Sequence, residues 1–125
     1  MSYIRRIKAV STTDAAATVI DSHTVPDNTT IIFEVKAAAH CTGGAGGNAG
    51  SGAGFWTLAT YKRAGAGPVI VGAASVPNNM PQLDAGVAGI TVAFGITGNA
   101  IDVVVTGGAT DNINWKSFLT VRALL

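Results

Sequence analysis

The chain has 125 residues, of which 48% are hydrophobic and only 12% charged, and its net charge is +1. That length suits one hydrophobic core, and the charged fraction is about half of what a soluble domain usually carries. The balance leaves no basic stripe for nucleic acid, the one cysteine, Cys41, leaves no internal disulfide, and Gly, Pro and Asn interrupt stretches 37–61 and 64–83 too often for membrane-spanning helices.

Along the chain, the opening residues carry Arg5, Arg6 and Lys8 without an apolar run behind them, and Ser11, Thr12, Thr13 and Asp14 follow at once. No secretory signal is expected there, and folding in a reducing cytoplasm is. Strands are predicted over 3–11, with its basic residues on the solvated side, and over 17–25. Pro26, Asp27 and Asn28 then supply turn chemistry. Residues 29–41 alternate clearly: Ile31, Phe33, Val35, Ala37, Ala39 and Cys41 fall on one face, and Glu34, Lys36, Ala38 and His40 on the other. A period of two over this length makes a half-buried strand.

The segment 42–54 is almost pure Gly and Ala. It suits either a mobile tip or a backbone surface pressed against a neighbour, because small residues permit close approach. Strands follow over 55–63 and 68–74, and then a second long loop, 76–86, with Pro77, Asn78, Asn79, Pro81 and Asp84. Strands over 89–96, 101–106 and 113–123 complete the series, with a turn at Gly98-Asn99 and a longer connection over 107–112. No window keeps a helical period. The expectation is an all-β, two-sheet antiparallel sandwich of about eight strands, jelly-roll-like, formed by residues 1–125 as a single domain. Phe33, Val35, Val103, Val105, Leu119 and Val121 should be core.

Candidate chemistry is sparse. A phosphate-binding loop needs a Lys-Ser/Thr pair and a helix after its glycines, whereas Phe55, Trp56 and Thr57 follow here. Ser51 lacks the glycine two residues to either side that a nucleophile elbow requires, since Ala49 and Ala53 stand there. His40 and Cys41 are adjacent, so a strand points them to opposite faces, and His23 is the only other histidine. Zinc needs three or four such ligands. Asp111, Asn112 and Asn114 are too few acids for calcium, and Glu34 and Asp102 are placed outward for solubility. Trp56, Tyr61 and Trp115 suit either sugar stacking or a core and interface role. The sequence thus offers no catalytic, cofactor-binding or metal residues, and the protein is expected not to be an enzyme.

Two stretches carry a family resemblance. One runs from Val25-Pro26-Asp27-Asn28-Thr29-Thr30 through Ile31-Ile32-Phe33-Glu34-Val35-Lys36 to Ala39. The other comprises Asn99 to Gly107, with Ile101-Asp102-Val103-Val104-Val105-Thr106, then Ile113-Asn114-Trp115-Lys116 and Leu119-Thr120-Val121. Together they resemble small β-sandwich virion proteins of tailed bacteriophages. The resemblance implies a structural role: a capsid decoration (cement) protein, or a tail-fibre or tip module that binds a receptor or glycan. It also implies a homo-oligomer, with a trimer favoured. The chain has no long repetitive stalk, which favours decoration. The expected partners are further copies and the major capsid protein or another virion protein, with no nucleic acid and no membrane; the expected location is the virion, after synthesis in the host cytoplasm. A net charge near zero implies recognition that depends weakly on salt.

Overall fold

The computed structural model describes residues 2–72 and 78–124. Among them are nine strands: β1 (Ser2–Thr12), β2 (Ala17–Thr24), β3 (Thr29–Gly43), β4 (Gly52–Arg63), β5 (Val69–Ile70), β6 (Asn78–Leu83), β7 (Thr91–Thr97), β8 (Ala100–Thr106) and β9 (Asn112–Leu124). A three-residue 3-10 turn, Ala85–Val87, is the only helical piece among the described residues.

The strands form two antiparallel sheets, as expected. The larger has six strands in the order β1-β9-β3-β4, with β5 and β6 both paired to the far side of β4; the smaller has three, β2-β8-β7. The chain crosses between the sheets from β1 to β2 to β3, from β6 to β7 and again from β8 to β9, as in a jelly roll. The β3–β4 and β7–β8 connections instead stay within one sheet as hairpins.

Two predicted segments change most. The predicted loop 76–86 contains β6, hidden in the sequence by its two asparagines and Pro81. β6 is an edge strand paired only with β4, and an edge tolerates proline because one side of its ladder is open. Val76 and Pro77 lie outside the described residues. The predicted strand 68–74 shortens to β5, and Ala73 and Ala74 also lie outside the described residues.

The inward halves of the alternating strands form the core. Phe33, Val35, Val103, Val105, Leu119 and Val121 are all buried. Phe33 meets Phe94 edge-on at 5.0 Å and Tyr61 at 6.4 Å, the geometry that ring quadrupoles favour. Trp115 packs against Phe55, and its indole Nε1 donates to Thr12 Oγ1 at 2.9 Å, so the buried donor is satisfied. Ser117 breaks this pattern: its Oγ is buried with no hydrogen-bond partner among the described residues.

The basic residues of β1 do not share a solvated side. Arg5 faces out, but Arg6 faces the smaller sheet, where its guanidinium meets Asp21 at 3.1 Å and also donates to the Ser22 carbonyl at 2.9 Å. A β-bulge between Val19 and Asp21 accompanies this placement of the carboxylate. The pair staples the two sheets together.

The Gly/Ala-rich segment is held by the chain itself. Its ends extend β3 and β4, and Gly50 N–H donates to the Cys41 carbonyl at 2.8 Å. Gly46 N–H reaches the Thr110 carbonyl at 3.1 Å, Asn48 Nδ2 donates to Asp111 at 2.9 Å, and Gly52 N–H donates to Asp84 Oδ2 at 2.8 Å. Gly44 has φ +111°, and a Cβ there would overlap the Thr110 carbonyl oxygen. The close approach that the glycines allow is therefore made to the 107–112 connection of the same chain.

Candidate interaction surface

The outer face of the six-stranded sheet is made of the other half of each alternation. Strand register sets its residues in transverse rows. Ile7 pairs with Phe118, Phe118 with Lys36, and Lys36 with Trp56. The next row is Arg5, Thr120, Glu34 and Leu58, and the one after it Tyr3, Arg122, Ile32 and Thr60. Tyr3, Ile7, Ile32, Trp56, Phe118 and Leu124 are all exposed here, with Val69 at the β5 edge. A sheet face of this kind needs water-compatible side chains only, so six large apolar residues across four strands form an apolar patch that calls for an explanation.

The same face gathers charge of one sign. Of the eight Lys and Arg residues in the chain, Arg5, Lys36, Lys62, Lys116 and Arg122 lie on its strands, whereas of the seven Asp and Glu residues only Glu34 does, with Asp84 just beyond β6 at the His40 end, accepting from Gly52 N–H. Cations and rings are in contact. Lys36 Nζ stands 6.0 Å from the Trp56 ring centre and the Arg122 guanidinium 5.1 Å from that of Tyr3. Trp56 Nε1 donates to Glu34 Oε2 at 2.7 Å, which fixes the indole against the sheet. Where small residues replace large ones the face is dimpled: a depression of about 500 Å³ lies over Ala9, Ala38 and Lys116, and one of about 540 Å³ lies between Trp56, Gly54 and Gln82.

The residues weighed for chemistry are dispersed. His40 is exposed at one end of this face, and Cys41 is buried on the other side of the sheet. His23 lies on β2, where burial and the nearby Arg6 lower its pKa below the usual 6.5, opposed by Asp21. Ser51 stands in the glycine segment beside Asn48 and Gly86. Asp111 is buried as the acceptor for Asn48, and Asn114 accepts from the Ser11 hydroxyl at 2.8 Å. Among the described residues no group of three or more His, Cys, Asp or Glu is placed to hold a metal ion, and no helix is long and apolar enough to cross a membrane. Of the three aromatics proposed for stacking, Tyr61 and Trp115 are core, and Trp56 alone is exposed.

Asp102 departs from its expected place. It is buried on β8, accepting from Ser22 Oγ at 2.7 Å and Thr97 Oγ1 at 2.6 Å. Three strands of the smaller sheet are thus tied together by one carboxylate, which serves structure and not solubility. The basic face was not visible as such in the sequence, because its cations are far apart along the chain. The available signal was parity: Lys36, Trp56, Lys116 and Phe118 all occupy the non-core phase of their strands.

No protein-family model matches the sequence, and no curated protein matches it. The fold is similar to part of the tailspike protein of Acinetobacter baumannii phage AM24, with a TM-score of 0.50 and 9% sequence identity over 95% of this chain. The chain spans about a quarter of that tailspike, 26% of its length. At this identity the likeness is one of fold.

Proposed function

We propose that the protein is a non-enzymatic structural subunit of a tailed-bacteriophage virion, acting as a capsid decoration (cement) protein that binds and stabilises the head as a homo-oligomer, with a trimer favoured. The observation that carries the reading is the outer face of the six-stranded sheet, an apolar and basic surface that no other described element covers. Low charge adds support, since a subunit that hides part of its surface needs fewer charges to stay dispersed. The sandwich fold shared with part of a phage tailspike is consistent with a virion component. The partner on the particle is the major capsid protein or another virion protein.

Imaging of native particles with this protein located in them tests the reading. Density on the head lattice is expected, and absence of the protein from purified particles overturns it. Light scattering of the purified protein reads the oligomer; a monodisperse monomer at tens of micromolar removes the trimer. A fibre or tip module that binds a receptor or glycan is the second reading, favoured by the tailspike likeness and by the exposed Trp56 beside Glu34 and Lys36. Density at the tail, together with glycan binding by the isolated protein, would select it.

A further inference from the structure

We propose that the outer face of the six-stranded sheet docks an acidic protein surface that carries apolar side chains of its own. The inference deepens the structural-subunit reading by naming the chemistry of the partner. Its first support is charge: Arg5, Lys36, Lys62, Lys116 and Arg122 stand on one face with the single carboxylate Glu34. The acids elsewhere do not form a matching patch on this chain: Asp21, Asp102 and Asp111 are buried and engaged internally, and the exposed Asp14, Asp27 and Asp84 sit in three separate connections, each accepting from a backbone N–H of its own turn or neighbouring strand. A second copy is therefore a poor occupant. A two-fold pairing of this face would oppose five cations to five, and among the described residues the exposed acids, Asp14, Asp27 and Asp84, are too scattered to give a head-to-tail pairing a matching acidic face.

The apolar side chains select among acidic partners. Ile7, Ile32 and Leu124 are aliphatic and exposed, and they lie between the cations. Polyphosphate or acidic sugar gains little from aliphatic side chains, and Glu34 in the middle of the face repels a continuous polyanion. A protein surface with carboxylates around apolar residues satisfies both kinds of group. Size agrees as well. Four strand spacings by ten residue steps give roughly 650 Å², close to the ~800 Å² that each side of an ordinary stable interface contributes. The net charge near zero concealed this: charges that cancel over the whole chain do not cancel on the face, and docking should weaken as salt rises.

The test uses the purified protein and defined polymers, so it stands apart from whether the natural partner is a virion. Binding of a glutamate–tyrosine copolymer is measured beside polyglutamate, duplex DNA and dextran sulfate. The copolymer should bind more tightly than the other three, and its affinity should fall by about tenfold or more between low and moderate salt. Phe118→Ser should bring the copolymer down to the polyglutamate level. The double variant Lys62→Gln/Lys116→Gln should weaken both polypeptides about tenfold. A double variant of equal charge change on the smaller sheet, Thr91→Glu/Ala93→Glu, should leave binding unchanged. The proposal is overturned if the copolymer fails to bind at low salt, if DNA or dextran sulfate outranks it, or if the opposite-sheet variant weakens it equally. Self-association that Phe118→Ser abolishes would assign the face to a second copy and would also overturn it.

Discussion

Along β9, Trp115, Ser117, Leu119 and Val121 face the smaller sheet, while Lys116, Phe118, Thr120 and Arg122 face outward from the same backbone. Leu119 is 1% exposed and its neighbour Phe118 is 43% exposed. The inner residues are explained by folding: they fill a shared interior, and their rings and branches meet one another. The outer apolar residues are not, since the sandwich is complete without them. Comparing the two faces therefore separates side chains that hold the molecule together from side chains available to a partner.

Substitutions should divide along the same line. The largest effect belongs to the inner face: Phe33→Ala should cost about 3–5 kcal/mol, because it deletes a fully buried ring between Tyr61 and Phe94. Chemical denaturation reads this directly, and a loss below about 1 kcal/mol would mean that the interior repacks freely. Next comes Gly44→Ala, expected to cost about 1–3 kcal/mol from its left-handed backbone and the overlap with the Thr110 carbonyl. An unchanged midpoint for that variant would show the glycine segment to be loose in solution.

A smaller effect is expected with pH. The pKa of His23 is lowered in the folded protein by burial and by Arg6, so the unfolded chain binds a proton that the folded chain resists. Stability contributed by the neutral imidazole is present above the ordinary value of 6.5 and is lost as pH falls below it. Melting should occur at lower temperature near pH 5 than near pH 7.5, and His23→Gln should narrow that difference. The smallest effects belong to adjacent residues of β9. Ser117→Ala should be neutral or slightly stabilising, since it removes an unpartnered buried hydroxyl. Phe118→Ser should change stability by no more than about 0.5 kcal/mol. If Phe118→Ser destabilised the protein as much as a core deletion, the distinction between the two faces would fail.

Much of the fold was legible because the period of two is a local property. The alternation of residues 29–41 and 113–123 placed Phe33, Val35, Leu119 and Val121 in the core before any pairing was known. What was hidden depends on neighbours. Asp102 looks like a solvated carboxylate until β2 and β7 bring Ser22 and Thr97 to it. Arg6 and Asp21 are fifteen positions apart, and the bulge that brings Asp21 inward leaves no clear local signature. β6 is hidden because proline and asparagine signal a turn wherever they stand, and only its edge position excuses them. The outer face required the order β1-β9-β3-β4, which no single segment contains.

That order also governs the timing of folding. β9 comes last of the described strands, yet it lies between β1 and β3 and hydrogen-bonds to both along nearly its whole length. During synthesis the long inner ladder of β3 has only β4 beside it, and β1 has no strand at all, until residues 112–124 have been made. The sheet must therefore wait for its middle, and contacts so distant along the chain belong to slowly folding topologies. While it waits, β1 and β3 present open edges of the kind that chaperones bind and aggregates recruit. Because Ser2 pairs with Ala123, a short linker joining the two, with new termini cut elsewhere, would turn the most distant pairing into a local hairpin. Such a permuted chain should fold sooner without changing what it folds into.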